Sequence, residues 1–234
     1  TSGQRLLDVG AGPGFATLDL ADIAGPRGRV CAVERSARFV EVLRERAHRC
    51  GYGNVTAYCQ DATLDGLPVA NDSMDGAWCR WLFAFLRQPR RLLEELADAL
   101  RPGGTLVLHE YLDYRTWRLA PRSPLLEKFV GEVMGSWRDA GGEPDIALDL
   151  PVWLQEAGFE LREMQPVLNI IRPTSFMWQW PASFIEVNLR RLVELGRIAP
   201  ALAGEISAEF QERSRDPATM MITPAVLEII AVRR

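Results

Sequence analysis

Near its start the chain reads Leu6-Leu7-Asp8-Val9-Gly10-Ala11-Gly12-Pro13-Gly14. An apolar run over residues 5–9 leads into three glycines at alternate positions, and a helical pattern follows over residues 15–23. The pattern predicts a buried strand, a tight turn and a helix. Glycines in such a turn let a ligand approach main-chain N–H groups that a Cβ atom would shield. We therefore interpret the stretch as a nucleotide-binding loop.

The spacing of the glycines discriminates between nucleotide cofactors. Gly10, Gly12 and Gly14 form G-x-G-x-G, whereas the dinucleotide fingerprint is G-x-G-x-x-G, and Phe15 stands where its third glycine would be. Asp8, directly before the loop, would repel a pyrophosphate but attract an ammonium group. The combination favours S-adenosylmethionine (SAM) over NAD.

Composition narrows the classes of partner. The 234 residues carry a net charge of −4 and are 47% apolar, which is ordinary for one globular domain and lacks the basic surface that nucleic-acid binding usually needs. We therefore expect no DNA partner. The four cysteines and two histidines are scattered, which predicts no metal site. No apolar run reaches the ~18 residues of a membrane span, so we expect no membrane partner and a cytoplasmic protein.

Strand-like and helix-like segments alternate through the first half, as in α/β proteins with a mostly parallel sheet covered by helices on both faces. The predicted strands are residues 5–9, 29–34, 54–60, 75–79, 105–111, 159–171 and 225–232. The predicted helices are residues 15–23, 37–50, 89–100, 123–140, 150–157, 181–196 and 201–215. We expect a single domain over 1–234, with a cofactor-binding half at 1–111 and substrate-side elements at 112–234. Because the first strand follows Thr1 almost directly, we also expect that N-terminal helices are missing from this sequence.

In open α/β sheets, ligands bind beyond the carboxyl ends of the strands. The residues that the sequence places at those ends are Asp8 with the glycine loop, Glu34, Asp61, Cys79, Arg80, Trp81, His109, Glu110 and Tyr111. Glu34 follows the loop by about twenty residues, the separation at which an acid accepts hydrogen bonds from ribose hydroxyls. Asp61 offers an acceptor for an adenine amino group. Both acids could instead cap helices or lie on the surface.

With these residues the chain resembles the class I SAM-dependent methyltransferases, in particular the small-molecule group of the methyltransferase type 11 kind. LLDVGAGPG at residues 6–14 resembles the first motif of that family, Glu34 the second, residues 60–62 the third, and LRPGGTLVL at residues 100–108 the approach to the fifth strand. The motifs cover about the first half of the chain. The resemblance implies a Rossmann-like, doubly wound, seven-stranded sheet whose last strand, residues 225–232, is antiparallel.

The resemblance also implies roles for residues at the strand ends. Asp8 and the loop residues Gly10, Ala11, Gly12 and Gly14 would hold the methionine end of SAM, Glu34 the ribose, and Asp61 with Ala62 the adenine. Arg35 departs from the apolar residue often found against adenine, although a guanidinium plane can also stack there. Cys79 and Arg80 complete the predicted cofactor-binding set, and Arg80 could equally form a surface ion pair.

Methyl transfer is an in-line displacement that depends mainly on positioning, so a strong general base is optional. His109 is the candidate base because its unperturbed pKa is ~6.5. The alternative is a packed histidine whose ring bonds a neighbouring carbonyl or Glu110.

Aromatic residues crowd the segments that would cover the substrate: Trp81, Tyr111, Tyr114, Trp178 and Trp180. Such residues line pockets for flat or apolar small molecules, although Trp178 and Trp180 could simply anchor their segment to the core. The Asp/Asn-Pro-Pro-aromatic sequence of enzymes that methylate adenine is absent after the fourth predicted strand, which argues against DNA as the substrate. A catalytically silent partner subunit, a protein or RNA acceptor, and a homodimer all stay open.

Overall fold

The computed structural model describes residues 2–234, and the chain forms two compact units. The first unit comprises the chain up to Glu110 together with Ile146–Gln165 and Leu227–Arg234, and the second comprises Tyr111–Asp145 and Pro166–Val226. The later half of the sequence therefore contributes two segments to the first unit, which a division at residue 111 did not anticipate. That residues 1–234 form one domain stays a prediction.

The first unit is built on a seven-stranded sheet. The strands of the chain are β1 (Arg5–Val9), β2 (Arg29–Glu34), β3 (Val55–Cys59), β4 (Met74–Arg80), β5 (Leu100–Asp113), β6 (Arg118–Ala120), β7 (Phe159–Val167), β8 (Ile170–Ile171), β9 (Met220–Ile222) and β10 (Ala225–Arg233). The sheet has the order β3-β2-β1-β4-β5-β10-β7, and the neighbouring pairs from β3 to β5 are parallel. Antiparallel strands follow near its end. The predicted Rossmann-like α/β sheet is confirmed.

The strand order reverses between β1 and β4, since β2 and β3 extend the sheet on one side of β1 while β4 and β5 extend it on the other. Such a switch point leaves a crevice at the carboxyl ends of the strands. The last four residues of β1 are all buried, as expected for a strand in a sheet covered on both faces. The glycine loop therefore follows β1, one of the two strands that meet at the switch point.

The helices are α1 (Phe15–Ala24), α2 (Ala37–Arg49), α3 (Pro89–Ala99), α4 (Pro124–Asp139), α5 (Leu150–Glu156), α6 (Gln179–Glu194) and α7 (Pro200–Arg215). Local sequence explains their ends. The Ser36 hydroxyl accepts a hydrogen bond from the Phe39 amide (3.4 Å) and so caps α2, as predicted. Beyond α2, Gly51 adopts φ +77°, the left-handed conformation that ends many helices. In α3, Leu92, Leu93 and Leu96 are all buried at helical spacing.

The fifth strand is longer than expected. The sequence predicts a helix over residues 89–100 and a strand that begins at residue 105, yet α3 ends at Ala99 and β5 begins immediately at Leu100. The Arg101 guanidinium donates to the Asp75 carboxylate at 2.8 Å, and this ion pair joins the beginnings of β5 and β4. The long-range contact extends the strand through a segment whose glycines and proline indicate a turn.

The second unit contains α4, α6 and α7 together with a small sheet of order β6-β9-β8, which the sequence did not predict. The strand predicted over residues 159–171 is wrong in its second part, because β7 ends at Val167 and Ile170–Ile171 pairs antiparallel with β9 instead. Asn169 explains the change of partner. Its amide donates to the Thr223 hydroxyl and its carbonyl accepts from the Thr223 amide, each at 3.0 Å.

Within residues 2–234, no helix combines the length and the apolar character needed to cross a membrane.

Candidate cofactor site

A cavity of about 300 Å³ lies in the first unit where β1, β2 and β4 end and where the chain leaves β3. Six of the residues predicted from sequence line it: Gly10, Glu34, Arg35, Asp61, Ala62 and Trp81. They come from four separate segments of the chain, so the fold brings them together. A larger cleft of about 740 Å³ lies among the turns before β2 and β3, and none of the predicted site residues lines it.

The three glycines of the loop all have positive φ, but for different reasons. A Cβ atom on Gly14 would lie 2.6 Å from Leu43 Cγ, and one on Gly10 would lie 3.1 Å from Leu82 Cδ1. A Cβ atom on Gly12, at φ +53°, would meet nothing within 4 Å. Gly10 and Gly14 therefore allow close packing, whereas the Cβ position of Gly12 faces open space.

Glu34 connects β2 to the glycine loop. Its Oε2 accepts a hydrogen bond from the Gly12 amide (3.0 Å), and its Oε1 accepts one from the Ser36 amide (2.8 Å). Each carboxylate oxygen retains a second lone pair. The half-buried Glu34 carboxylate can therefore still accept hydrogen bonds from two adjacent hydroxyl groups at the cavity.

Asp61 is held in its orientation by Thr63. The Thr63 amide and hydroxyl donate to Asp61 Oδ1 at 2.9 and 2.6 Å. The hydroxyl hydrogen bond is the largest of the influences that lower the pKa of Asp61. Asp61 is therefore ionised at neutral pH, and Ala62 lies beside it in the cavity lining. An ionised acceptor next to a small apolar residue suits the amino edge of a flat ring.

The remaining predicted cofactor residues do not line this cavity. They are Asp8, Ala11, Gly12, Gly14, Cys79 and Arg80.

Asp8 is only 2% exposed, and its Oδ2 accepts a hydrogen bond from the Thr17 hydroxyl at 2.5 Å. Burial raises the pKa of Asp8 to about 6. The sequence predicted an accessible carboxylate directly before the loop. In the structure the Asp8 carboxyl is buried, and its hydrogen bond with Thr17 links β1 to α1.

The side chains at the end of β4 also depart from the sequence prediction. Cys79 is completely buried, and burial raises the pKa of its thiol well above the usual value. The thiol therefore cannot contact a ligand in the cavity. The exposed Arg80 guanidinium lies 5.2 Å from the centre of the Trp81 ring, and its charge acts to lower the pKa of Asp8.

His109 lies outside the cavity lining. Its Nε2 is 2.5 Å from Glu228 Oε2, and its ring centroid is 4.8 Å from that of Trp78. The sequence alternative of a packed histidine named a carbonyl or Glu110 as the partner, whereas the structure shows Glu228 on β10. The pairing could not be anticipated, because 119 residues separate the two side chains in the chain.

Glu110 is a residue of the site whose role sequence reasoning missed. The side chain is fully buried, and its Oε1 accepts hydrogen bonds from the Leu82 amide (2.7 Å) and the Phe83 amide (2.9 Å). Burial raises the pKa of Glu110 to about 7. A signal was present in the sequence, since Glu110 continues the alternation of Leu106 and Leu108, which places it on the buried face of β5.

Four of the predicted substrate-side aromatic residues belong to the second unit, where they pack on other aromatic rings. Tyr111 and Tyr114 form an edge-to-face pair with centroids 4.8 Å apart. Trp178 stacks on Phe210 at 5.6 Å, and its Nε1 donates to the Ser214 hydroxyl at 3.1 Å. Trp180 stacks on Trp117 at 6.0 Å. This packing supports an anchoring role for Trp178 within its unit.

A parallel sheet with this strand order, a glycine loop after β1 and acidic acceptors after β2 and β3 is the arrangement of an α/β protein that binds a nucleoside-containing cofactor. Residues 7–108 match the family described as a methyltransferase domain. This match and the similar structures support the class I SAM-dependent methyltransferases as the class of this chain, and SAM is the cofactor of that class.

Individual relatives agree with this assignment. The chain is 29% identical over 200 residues to the O-methyltransferase cnsE of Penicillium expansum, a match that covers 84% of this chain and 67% of that protein. It is 32% identical over 114 residues to a protein-L-isoaspartate O-methyltransferase of Methanothrix thermoacetophila, which covers 45% of this chain and 47% of the relative. The chain thus spans two thirds of the length of the first relative and about half of the second.

Among solved structures, the [4+2]-cyclase SpnF has a similar fold, with a TM-score of 0.62 and 22% identity over 99% of this chain and 76% of that one. This similarity concerns the fold alone. Its name shows that the fold also occurs in a protein described by a different reaction.

Proposed function

We propose that this protein transfers the methyl group of SAM to a small molecule. The observation that carries the proposal is the cavity at the switch point of the sheet, where Gly10, Glu34 and Asp61 come together from three segments of the chain. The match to the methyltransferase family supports SAM as the cofactor.

The residues of the cavity fit the groups of SAM. Two adjacent ribose hydroxyls match the two carboxylate oxygens of Glu34, and the adenine amino group matches the ionised Asp61. The open space at Gly12 allows a ligand to approach the loop backbone. When bound, SAM supplies an activated methyl group on a sulfonium.

The protein's own contribution is then to bind and orient. Glu34 fixes the loop through the Gly12 amide, so a ligand bound to Glu34 is also held at a defined distance from the loop. Trp81 and Leu82 line the cavity and exclude water from it. Positioning of this kind supplies much of the barrier reduction in a displacement that needs no covalent enzyme intermediate.

We further propose an aromatic or apolar small molecule as the acceptor. The net charge of −4 disfavours RNA. The match to the O-methyltransferase cnsE extends over 84% of this chain, whereas the match to a protein-L-isoaspartate O-methyltransferase covers only 45%. Both relatives are O-methyltransferases, which favours oxygen as the acceptor atom. The longer match is not to a protein methyltransferase, so it does not favour a protein as the substrate.

Cofactor binding is tested by titrating the protein with S-adenosylhomocysteine (SAH) in a calorimeter. Saturating SAH should raise the melting temperature by mass action. Glu34→Ala should weaken binding at least about tenfold, because it removes charge-assisted hydrogen bonds. Glu45→Ala is the matched control, since Glu45 is an exposed glutamate on α2 outside the cavity lining. Absence of SAH binding would contradict the proposal.

Methyl transfer is tested by following SAM consumption over a panel of hydroxylated aromatic and aliphatic compounds. Turnover with at least one of them, lost together with SAH binding in Glu34→Ala, is the expected result. Tight SAH binding without turnover on any acceptor would instead indicate a catalytically silent partner subunit.

A further inference from the structure

One wall of the cofactor cavity is a short segment after β4. We call residues 81–86 the cavity wall, because Trp81, Leu82, Phe85 and Leu86 all line the cavity. Phe83–Phe85 forms a single helical turn within it. The segment contributes four lining residues, so its position helps to determine the shape of the cavity.

The backbone of the cavity wall is attached to β5 at successive amides. The Trp81 amide donates to the His109 carbonyl at 2.9 Å. The next two amides, of Leu82 and Phe83, both donate to Oε1 of Glu110. The Ala84 amide also donates to Glu110 and helps to lower its pKa, so most of these attachments depend on one side chain.

The local conformation of the wall needs such support. Trp81 has φ +53°, a left-handed conformation that is unfavourable for a bulky residue and persists only when its surroundings impose it. The Leu82 side chain also lies against Gly10, where an added Cβ would come within 3.1 Å of Leu82 Cδ1. A shift of the wall would therefore change the packing of the glycine loop.

We propose that Glu110 is a positioning residue for cofactor binding, whose ionised carboxylate holds the cavity wall against the glycine loop and whose protonation loosens that hold. This inference rests on the proposed function, because the cavity must bind SAM for the wall to affect its affinity. Glu110 itself acts through Leu82 and Phe83 and does not line the cavity.

The ionisation state of Glu110 determines how strongly it holds the cavity wall at each pH. An ionised carboxylate accepts amide hydrogen bonds about twice as strongly as a neutral acid. Glu110 Oε2 is buried with no hydrogen-bond partner in the part of the chain that the structure describes, so the charge of Glu110 is stabilised by the amides of the cavity wall, namely those of Leu82, Phe83 and Ala84. Burial raises the pKa of Glu110 to about 7, so it titrates in the neutral range.

Two other titratable groups lie near Glu110 on the neighbouring strands. The Cys79 thiol on β4 stays neutral throughout this range, because burial raises its pKa well above the usual value. Asp8 on β1 has a pKa raised to about 6, so it is largely ionised above pH 7, and Arg80 favours that ionisation. Affinity changes between pH 7 and 8 therefore report Glu110 more than Asp8.

The experiment is a calorimetric titration with SAH from pH 6 to 8.5. SAH lacks the positive sulfonium of SAM, so attraction between a sulfonium and a carboxylate does not contribute to the profile. The ionised fraction of a group with pKa about 7 rises from about one half at pH 7 to about nine tenths at pH 8, so the wild-type affinity should increase about twofold over this interval. From pH 6, where Asp8 also titrates, the total increase should reach about tenfold.

Two substitutions of Glu110 distinguish a role in positioning the cavity wall from a general effect on the stability of the fold. Glu110→Gln retains an oxygen that can accept both amides, so it should bind within about threefold of the wild type at pH 8 and show no dependence on pH above 7. Glu110→Ala should bind about tenfold more weakly at pH 8, since it loses both hydrogen bonds. Glu95→Gln is the control: Glu95 also has a buried, unpaired Oε2, but it lies on α3 outside the cavity lining, and it should keep the wild-type profile.

The outcomes are distinguishable. If SAH fails to bind the wild type at every pH, both the proposed function and this inference are overturned. If the wild type binds SAH with an affinity that does not change above pH 7, or if Glu110→Gln retains the wild-type change, only the role of Glu110 is overturned. Should Glu110→Ala fail to fold, the comparison between the wild type and Glu110→Gln still decides.

Discussion

Asp8→Asn is expected to make the protein more stable at alkaline pH. Asp8 is 2% exposed, and burial raises its pKa from the ordinary 3.8 to about 6. Asparagine keeps an oxygen that can accept the Thr17 hydroxyl, but it carries no charge that must be buried.

The magnitude follows from linkage between protonation and folding. Between pH 3.8 and 6 the folded protein binds more protons at Asp8 than the unfolded chain does, so the free energy of unfolding falls as pH rises through this window. The total loss is about 3 kcal/mol, of which about 2 kcal/mol falls between pH 4.5 and 8. Asp8→Asn removes this component, so its stability should decrease less over the same range.

Urea unfolding of the two proteins at pH 4.5 and pH 8 measures the difference. Asp75→Asn is the control, because the Arg5 amide and Arg101 lower the pKa of Asp75, so its protonation lies below the measured range and this variant should show the wild-type change between pH 4.5 and pH 8. Asp75 stabilises the fold above its ordinary pKa, and that stability is lost as pH falls. Equal pH dependence in the wild type and Asp8→Asn would refute the argument that burial raises the pKa of Asp8 in the folded protein.

Other substitutions test individual parts of the site. Gly14→Ala should lower stability by about 1–3 kcal/mol, since its Cβ would lie 2.6 Å from Leu43 Cγ. Gly12→Val should abolish SAH binding by filling the open approach to the loop, and retained affinity would contradict this placement of the ligand. His109→Gln should lower the melting temperature and leave SAH affinity unchanged, because the ring pairs with Glu228 outside the cavity. A hundredfold loss of turnover at unchanged melting temperature would instead identify His109 as a general base.

Local pattern was sufficient for the elements that precede and follow the cofactor cavity. β1 and β2 were predicted without error, and α1 to within one residue, because an apolar run, a glycine turn and a helical period can each be recognised within about twenty residues. Glu34 and Asp61 were placed at the cavity by one general rule, that ligands bind at the carboxyl ends of parallel strands.

The pairing of strands from distant segments of the chain could not be predicted from local sequence patterns. β8 separates from β7 because Asn169 bonds Thr223, and the three-stranded sheet of the second unit follows from that contact. Neither Ile170–Ile171 nor Met220–Ile222 is long enough to show a strand pattern of its own.

The amino-acid sequence by itself determined the class of fold, the position of the glycine loop and two acids that line the cavity, Glu34 and Asp61. All of these depend on short-range pattern and on the order of strands. Only the tertiary structure decided the state of the acids around the loop, since burial is a property of the folded neighbourhood. In the folded chain Asp8 is a buried carboxyl hydrogen-bonded to Thr17, and His109 pairs with Glu228. Glu110 accepts hydrogen bonds from amides of the cavity wall.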